Sequence, residues 1–194
     1  FQVTADPAFE RVARETLDYL AREMRHSSGG FYSATDADSE GIEGKFFVWT
    51  VDEVRAVLGD DAGFFNVAFG VTADGNFFDP HHPELTKRNV LSRRSEVAEL
   101  ARHFGWSFEA TEAKLAGVRA RMLEARSRRV PPGLDDKVLT SWNGLALAAF
   151  AEAGRALGDE RYRRIAEENA AFVRRELWRE GTLLHTWKDG TGRI

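Results

Sequence analysis

The sequence predicts a mainly α chain built of packed helical hairpins, with one small β-hairpin near residues 31–49. Three observations carry that expectation. First, a segment recurs 153 positions further on. Asp6, Phe9, Arg11, Val12, Ala13, Glu15, Leu20, Glu23 and Met24 match Asp159, Tyr162, Arg164, Ile165, Ala166, Glu168, Val173, Glu176 and Leu177. Second, helix start and stop residues punctuate most of the chain at helical spacing. Third, aromatic, β-prone runs frame a glycine-punctuated acidic loop. A hydrophobic share of 43% beside 30% charged residues marks a chain able to bury a core.

Each copy of the repeat opens on an Asp able to cap the first free N–H groups, then places apolar residues at helical spacing. Each runs into a short β-prone piece, Phe31-Tyr32-Ser33 or Leu183-Leu184-His185-Thr186-Trp187. Two surface helices share such a pattern without common origin, which is the plainer reading of the match. Duplicated amphipathic helices instead suggest stacked hairpins, since neither copy can cover its apolar face alone. By the repeat, Phe1 to Ala5 corresponds to the tail of a helix preceding the first copy. With Phe1 rather than Met in first position, the expectation is a fragment of a larger protein spanning 1–194 as one partial domain.

The remaining elements follow in order. Phe46-Phe47-Val48-Trp49 is an expected strand, paired with Phe31-Tyr32-Ser33 across the acidic loop. Thr50-Val51-Asp52-Glu53 is a capping box opening a short helix that ends at Gly59. Asp61 to Phe69 and Ser95 to Phe104 are further helices, the latter stopped by Gly105. Ser107 caps a longer one with Thr111, Leu115, Val118 and Met122 on one face. Val130-Pro131-Pro132-Gly133 breaks that run. Ser141 to Leu157 is an apolar, alanine-rich helix closed by Gly158, and Asp159 opens its hairpin partner. No linker long enough to separate two domains is visible.

Composition excludes several classes. There are no cysteines, so these residues hold no disulfide, thiolate metal site or thiol chemistry. A net charge of −4 with interleaved signs argues against nucleic acid. The Arg126, Arg128, Arg129 cluster reads as a solvated helix end. No apolar run approaches the roughly 20 residues that span a bilayer, so no membrane is expected, and a cytoplasmic location is.

Two polar segments are candidates for chemistry. In the acidic loop, Asp36, Asp38 and Glu40 alternate before Gly41, as in the first half of a calcium loop. The twelfth position is Phe47 rather than a bidentate carboxylate, so the EF-hand reading fails and only a looser calcium site stays open. Alternatively, Asp36 and Asp38 supply paired carboxylates for acid–base work, with Lys45 biasing their protonation. A purely structural turn is the competing reading. In the second segment, Asp135-Asp136-Lys137 precedes a helix, where acidic groups commonly cap N–H donors. Asp136, Thr140 and Asn143 would share one helical face. Trp142 brings a large ring to that helix start, beside Ser141. His81-His82 are adjacent, with no third ligand in evidence, so no metal is assigned. No phosphate-binding glycine loop or nucleophile elbow appears, and no cofactor is called for.

The stretches GGFYSATDADSEGIEGKFFVW, LDDKVLTSWNGL and GDERY, and essentially the whole chain around them, closely resemble the YyaL and spermatogenesis-associated thioredoxin-domain family. The resemblance implies part of an (α/α)6 toroid, similar to N-acylglucosamine 2-epimerase and six-hairpin glycosidase folds. The thioredoxin-like domain such proteins carry is not in this sequence, so redox function would reside outside it. The resemblance implies that both polar segments face a central cavity binding a sugar or other small polar ligand. Asp36, Asp38, Asp135 and Asp136 would then be catalytic, and Glu40, Lys45, Trp49, Lys137, Ser141, Trp142 and Asn143 would contact substrate. Sugar epimerase, isomerase or glycosidase chemistry is the expectation, with the fragment alone inactive. The alternative is a non-catalytic scaffold presenting a protein client to the attached thioredoxin-like domain.

Overall fold

The computed structural model describes all residues except 84 and 194. In chain order the helices are α1 (Pro7–Glu23), α2 (Val51–Leu58), α3 (Ala62–Phe69), α4 (Val97–Phe104), α5 (Phe108–Ser127), α6 (Thr140–Leu157) and α7 (Glu160–Phe172). The strands are short: β1 (Ala34–Thr35), β2 (Asp38–Ser39), β3 (Ile42–Glu43), β4 (Leu134–Asp135), β5 (Val138–Leu139), β6 (Trp178–Arg179), β7 (Thr182–Leu183), β8 (Thr186–Lys188) and β9 (Thr191–Arg193). The chain is mainly α with small antiparallel pairings, as its periodicity predicts.

It divides into two compact units, one made of residues 1–35 and 134–194 and the other of residues 36–133. The sequence shows no linker between them because none is needed. The chain leaves the first unit after β1 and re-enters at β4, and these two strands pair with each other as Ala34↔Asp135 and Thr35↔Leu134.

In the first unit, Asp6 accepts from the Ala8 N–H at 2.8 Å and caps α1, with Pro7 in the first turn. Asp159 caps α7 in the same way, so both repeat copies start as expected. Gly158, in the left-handed conformation, ends α6 and lets α7 fold back on it. Phe150, Tyr162, Ile165 and Ala166 of this hairpin pack with Leu17 of α1 and with Phe31. The Phe31 and Phe150 rings stack at 5.2 Å. Each fully buried aromatic of this kind contributes about 1.5–3 kcal/mol. After α7 a π-helical turn, Val173–Leu177, leads to Leu177, which packs with Val138, Phe172 and Trp187. A β-carbon at Gly30 would lie 2.7 Å from the Phe172 ring, so only glycine fits there.

In the second unit, Thr50 and Glu53 form the expected capping box of α2. A 3-10 turn, Gly59–Asp61, precedes α3, so that helix starts slightly later than predicted. Likewise α4 starts at Val97, after a capping box between Glu96 and Glu99 rather than at Ser95. Thr111, Leu115, Val118 and Met122 form the buried face of α5, packed with Val54, Leu58, Phe64, Phe65 and Leu100. Among the described residues no helix is long and apolar enough to cross a membrane.

Two local expectations fail. Phe31-Tyr32-Ser33 and Phe46–Trp49 do not pair with each other. Phe31 bridges Arg25, Trp49 bridges Asn89, and the hairpin within 31–49 is β2 with β3. Glu40 and Gly41 both take positive φ (55° and 76°), which closes a tight turn long before Phe46 could return. In addition, Asp136 does not share a helical face with Thr140 and Asn143. It lies before β5, and the helix begins only at Thr140, with Leu139 at the N-cap making no side-chain hydrogen bond. Asp135 and Asp136 therefore do not cap α6.

Candidate functional site

In the second unit the β2–β3 hairpin carries Asp36, Asp38, Glu40 and Lys45. Asp36 Oδ1 accepts from the Ala37 N–H at 2.7 Å and, weakly, from the Asp38 N–H at 3.4 Å, an Asx turn that sets the entry to β2. Its own N–H donates to Gly133 O at 2.6 Å. Among the described residues the exposed Asp38 carboxylate accepts no hydrogen bond. Glu40 pairs with Lys45 at 2.8 Å. Between Asp38 and Glu40, Ser39 is buried and its hydroxyl donates to Val130 O at 2.6 Å.

Trp49 is a core residue, 3% exposed. The Arg129 guanidinium lies 3.6 Å from its ring centre and donates to Phe46 O and Val48 O at 3.1 and 2.8 Å. Glu53 closes this network by accepting both Thr50 N–H and the Arg88 guanidinium. Burial raises the Glu53 pKa, but the Thr50 N–H and the cations of Arg88 and Arg129 outweigh it and hold the carboxyl below its ordinary value. The Trp49 ring is thus covered by an arginine where a ligand would have to stack.

In the first unit, Asp135 Oδ1 accepts from the Lys137 N–H at 3.3 Å and Oδ2 pairs with Lys137 Nζ at 3.2 Å. Burial works against its charge, yet these contacts, with Ser33, keep its pKa below the ordinary value. Asp136 pairs with Lys188 of β8 at 2.6 Å. The two strand segments are held by β5–β8 pairing, Val138↔Trp187 and Leu139↔Thr186. Burial, assisted by the negative charge of Asp136, raises the pKa of Tyr32. His26 meets Tyr32 and Trp187 edge-on at 5.7 and 5.2 Å, and its Nδ1 lies 2.5 Å from Ser28 Oγ.

At the start of α6 the three predicted residues diverge. Ser141 is exposed and Trp142 is 51% exposed. Asn143 is fully buried. Its Oδ1 accepts from the Phe31 N–H at 2.8 Å and from Asn169 Nδ2 at 2.9 Å, while its Nδ2 donates to Phe31 O and Leu139 O at 3.0 and 2.9 Å. Asn169 donates onward to Gly29 O at 2.9 Å. The amide therefore grips the backbone that follows Gly29-Gly30, and has no free valence for a substrate.

Proximity in the sequence thus brings Asp36, Asp38, Glu40 and Lys45 onto one hairpin, and folding joins Asp136 to Lys188. Among the described residues no group of three or more His, Asp or Glu side chains is arranged to hold a metal ion. Sequence reasoning missed Asn169, Lys188, Tyr32 and Arg129. Of these, Asn169 had a signal, a polar residue on the apolar face of the second repeat copy.

The chain is 34% identical to human spermatogenesis-associated protein 20 over 99% of its residues, and 35% identical to the mouse protein over the same share. A Caenorhabditis elegans protein described only as uncharacterized is 32% identical over 90% of the chain. No family model matches. The chain spans about a quarter, 27%, of the length of the two mammalian relatives. Along that span it is a homologue of spermatogenesis-associated protein 20.

Proposed function

We propose that this chain is a non-catalytic scaffold segment, part of an (α/α)6 toroid that presents a protein client to a thioredoxin-like domain of the longer protein. One observation carries the reading. The polar side chains of the two motifs are largely engaged in holding the chain itself: Asp36 in its turn, Asp135 with Lys137, Asp136 with Lys188, and Asn143 on the Phe31 backbone. An acid–base pair needs one carboxyl poised to carry a proton near neutral pH. Asp135 is instead held ionised by its neighbours.

The test is thermal melting of Asp136→Asn and Asn143→Ala alongside a pull-down by the full-length protein. The scaffold reading requires lowered melting temperatures and a retained protein partner. An unchanged melting temperature in both variants contradicts it.

A second reading is favoured by Trp142, whose ring is half exposed at the head of α6 beside the exposed Ser141. Such a ring is a stacking platform for the apolar face of a sugar. In that case the full-length protein binds a glycan or free sugar, and Trp142→Ala abolishes binding without altering the melt. A broad glycan and sugar-isomer screen with no binding or turnover removes this reading and leaves the scaffold.

A further inference from the structure

The two repeat copies start alike but are not covered alike. On α7 the residues Tyr162, Ile165, Asn169 and Phe172 form one stripe, exposed by 0%, 6%, 0% and 0%. On α1 the residues 153 positions earlier are Phe9, Val12, Thr16 and Tyr19. Phe9 and Val12 are 56% exposed, Tyr19 is 38% exposed, and Thr16 is exposed too. Tyr162 and Asn169 of the α7 stripe are covered by α6, through the Phe150–Tyr162 ring contact at 5.9 Å and the Asn143–Asn169 bond, while Phe172 packs with Val138 and Trp187. A stripe of this spacing on a water-facing helix leaves large apolar surface unburied.

The residues just before α1 repeat the end of α6. Gly158 has φ 62° and its N–H donates to Gly154 O, the turn that terminates α6. Ala5, its counterpart, has φ 54°, and its N–H donates to Phe1 O at 2.7 Å. A non-glycine residue in this conformation is costly unless the fold needs the turn. Phe1–Ala5 therefore has the form of a closing helical turn, held to α6 by Gln2 donating to Glu152 at 2.6 Å. Beside it lies a groove of about 420 Å³, lined by Phe1, Phe9 and Thr16 on one side and Ala149, Ala153 and Ala156 on the other.

We propose that this groove and the exposed α1 stripe are the seat of an amphipathic helix of the longer protein, the counterpart of α6, whose last turn is Phe1–Ala5. It packs on Phe9, Val12 and Thr16 as α6 packs on Tyr162, Ile165 and Asn169. Its own buried face is alanine-rich with one or two large apolar residues at i, i+3/i+4 and i+7, because the groove floor is made of alanines. The matched relatives are almost four times as long as this span, so most of their length lies outside it.

The experiment uses the full-length protein. With Val12→Cys, maleimide labelling at position 12 is read by peptide mass spectrometry against Ala98→Cys on the exposed side of α4. The seat requires position 12 to label at least about tenfold more slowly than position 98, as for a site that reacts only on local opening. Equal rates overturn the proposal. In a second arm a benzophenone amino acid replaces Phe9 and is photolysed. A cross-link to the residues immediately preceding Phe1 supports the proposal. A cross-link to any other segment, or to a second copy, shows a different occupant and overturns it.

Discussion

Alanine at position 143 removes an amide that answers four polar groups at once. Asn143 accepts from the Phe31 N–H and from Asn169, and donates to Phe31 O and Leu139 O, all between 2.8 and 3.0 Å. The residue is 0% exposed, so water does not replace these partners without opening the unit. At about 1 kcal/mol net per bond the loss is ~4 kcal/mol, with the orphaned groups as its main source. For a chain of this size that corresponds to a fall in melting temperature of roughly 8–16 °C. Asn143→Asp is expected to be no better at neutral pH, since a carboxylate would face two carbonyl oxygens in place of a donor. Urea denaturation followed by circular dichroism gives the number directly. A midpoint shift equivalent to less than about 1 kcal/mol at unchanged slope would refute the assignment of Asn143 as the clamp on the Phe31 backbone.

Other outcomes follow from the same reasoning. Arg129→Ala removes the cation over Trp49 and two bonds to Phe46 O and Val48 O, and is expected to cost about 2–4 kcal/mol by denaturation, with Arg129→Lys recovering little of it. Glu53 is held below its ordinary value of 4.5 in the fold, so its contribution is fully present above that value and is lost as pH falls through the lower folded pKa. The stability gap between the parent protein and Glu53→Gln should therefore shrink on acidification below about 4.5 and stay constant above it; a gap independent of pH contradicts the network. Ala5→Gly should stabilise by roughly 0.5–1 kcal/mol, because Ala5 holds a positive φ that glycine adopts without strain. A loss of stability there would mean that the alanine methyl is itself packed.

What the sequence revealed and what it hid divide along chemical range. Helix boundaries were legible because their causes are adjacent in the chain: Asp6 and Asp159 as caps, Thr50 with Glu53, and Gly105 and Gly158 as stops. The face of α5 was legible from period alone. Strand pairing was not, since β1 meets β4 and β5 meets β8 across long stretches of chain that no local pattern encodes. The candidate site suffered for the same reason. Trp49 and Asn143 look like binding residues in the sequence because large aromatic and amide side chains serve both roles. Their distant partners, Arg129 for one and Phe31 with Asn169 for the other, engage both in holding the fold. The two compact units show no linker in the sequence, because the chain passes between them at a pair of two-residue strands.

That ladder has a consequence for how the molecule can vary. Residues 36–133 begin and end beside one another, as the Asp36 N–H donating to Gly133 O at 2.6 Å makes plain. Neighbouring strands lie about 4.8 Å apart, a gap that a tight turn bridges. Both ends of this unit thus meet at one short ladder, β1 with β4. Closely spaced ends of this kind are the arrangement in which inserted segments are exchanged or varied in length.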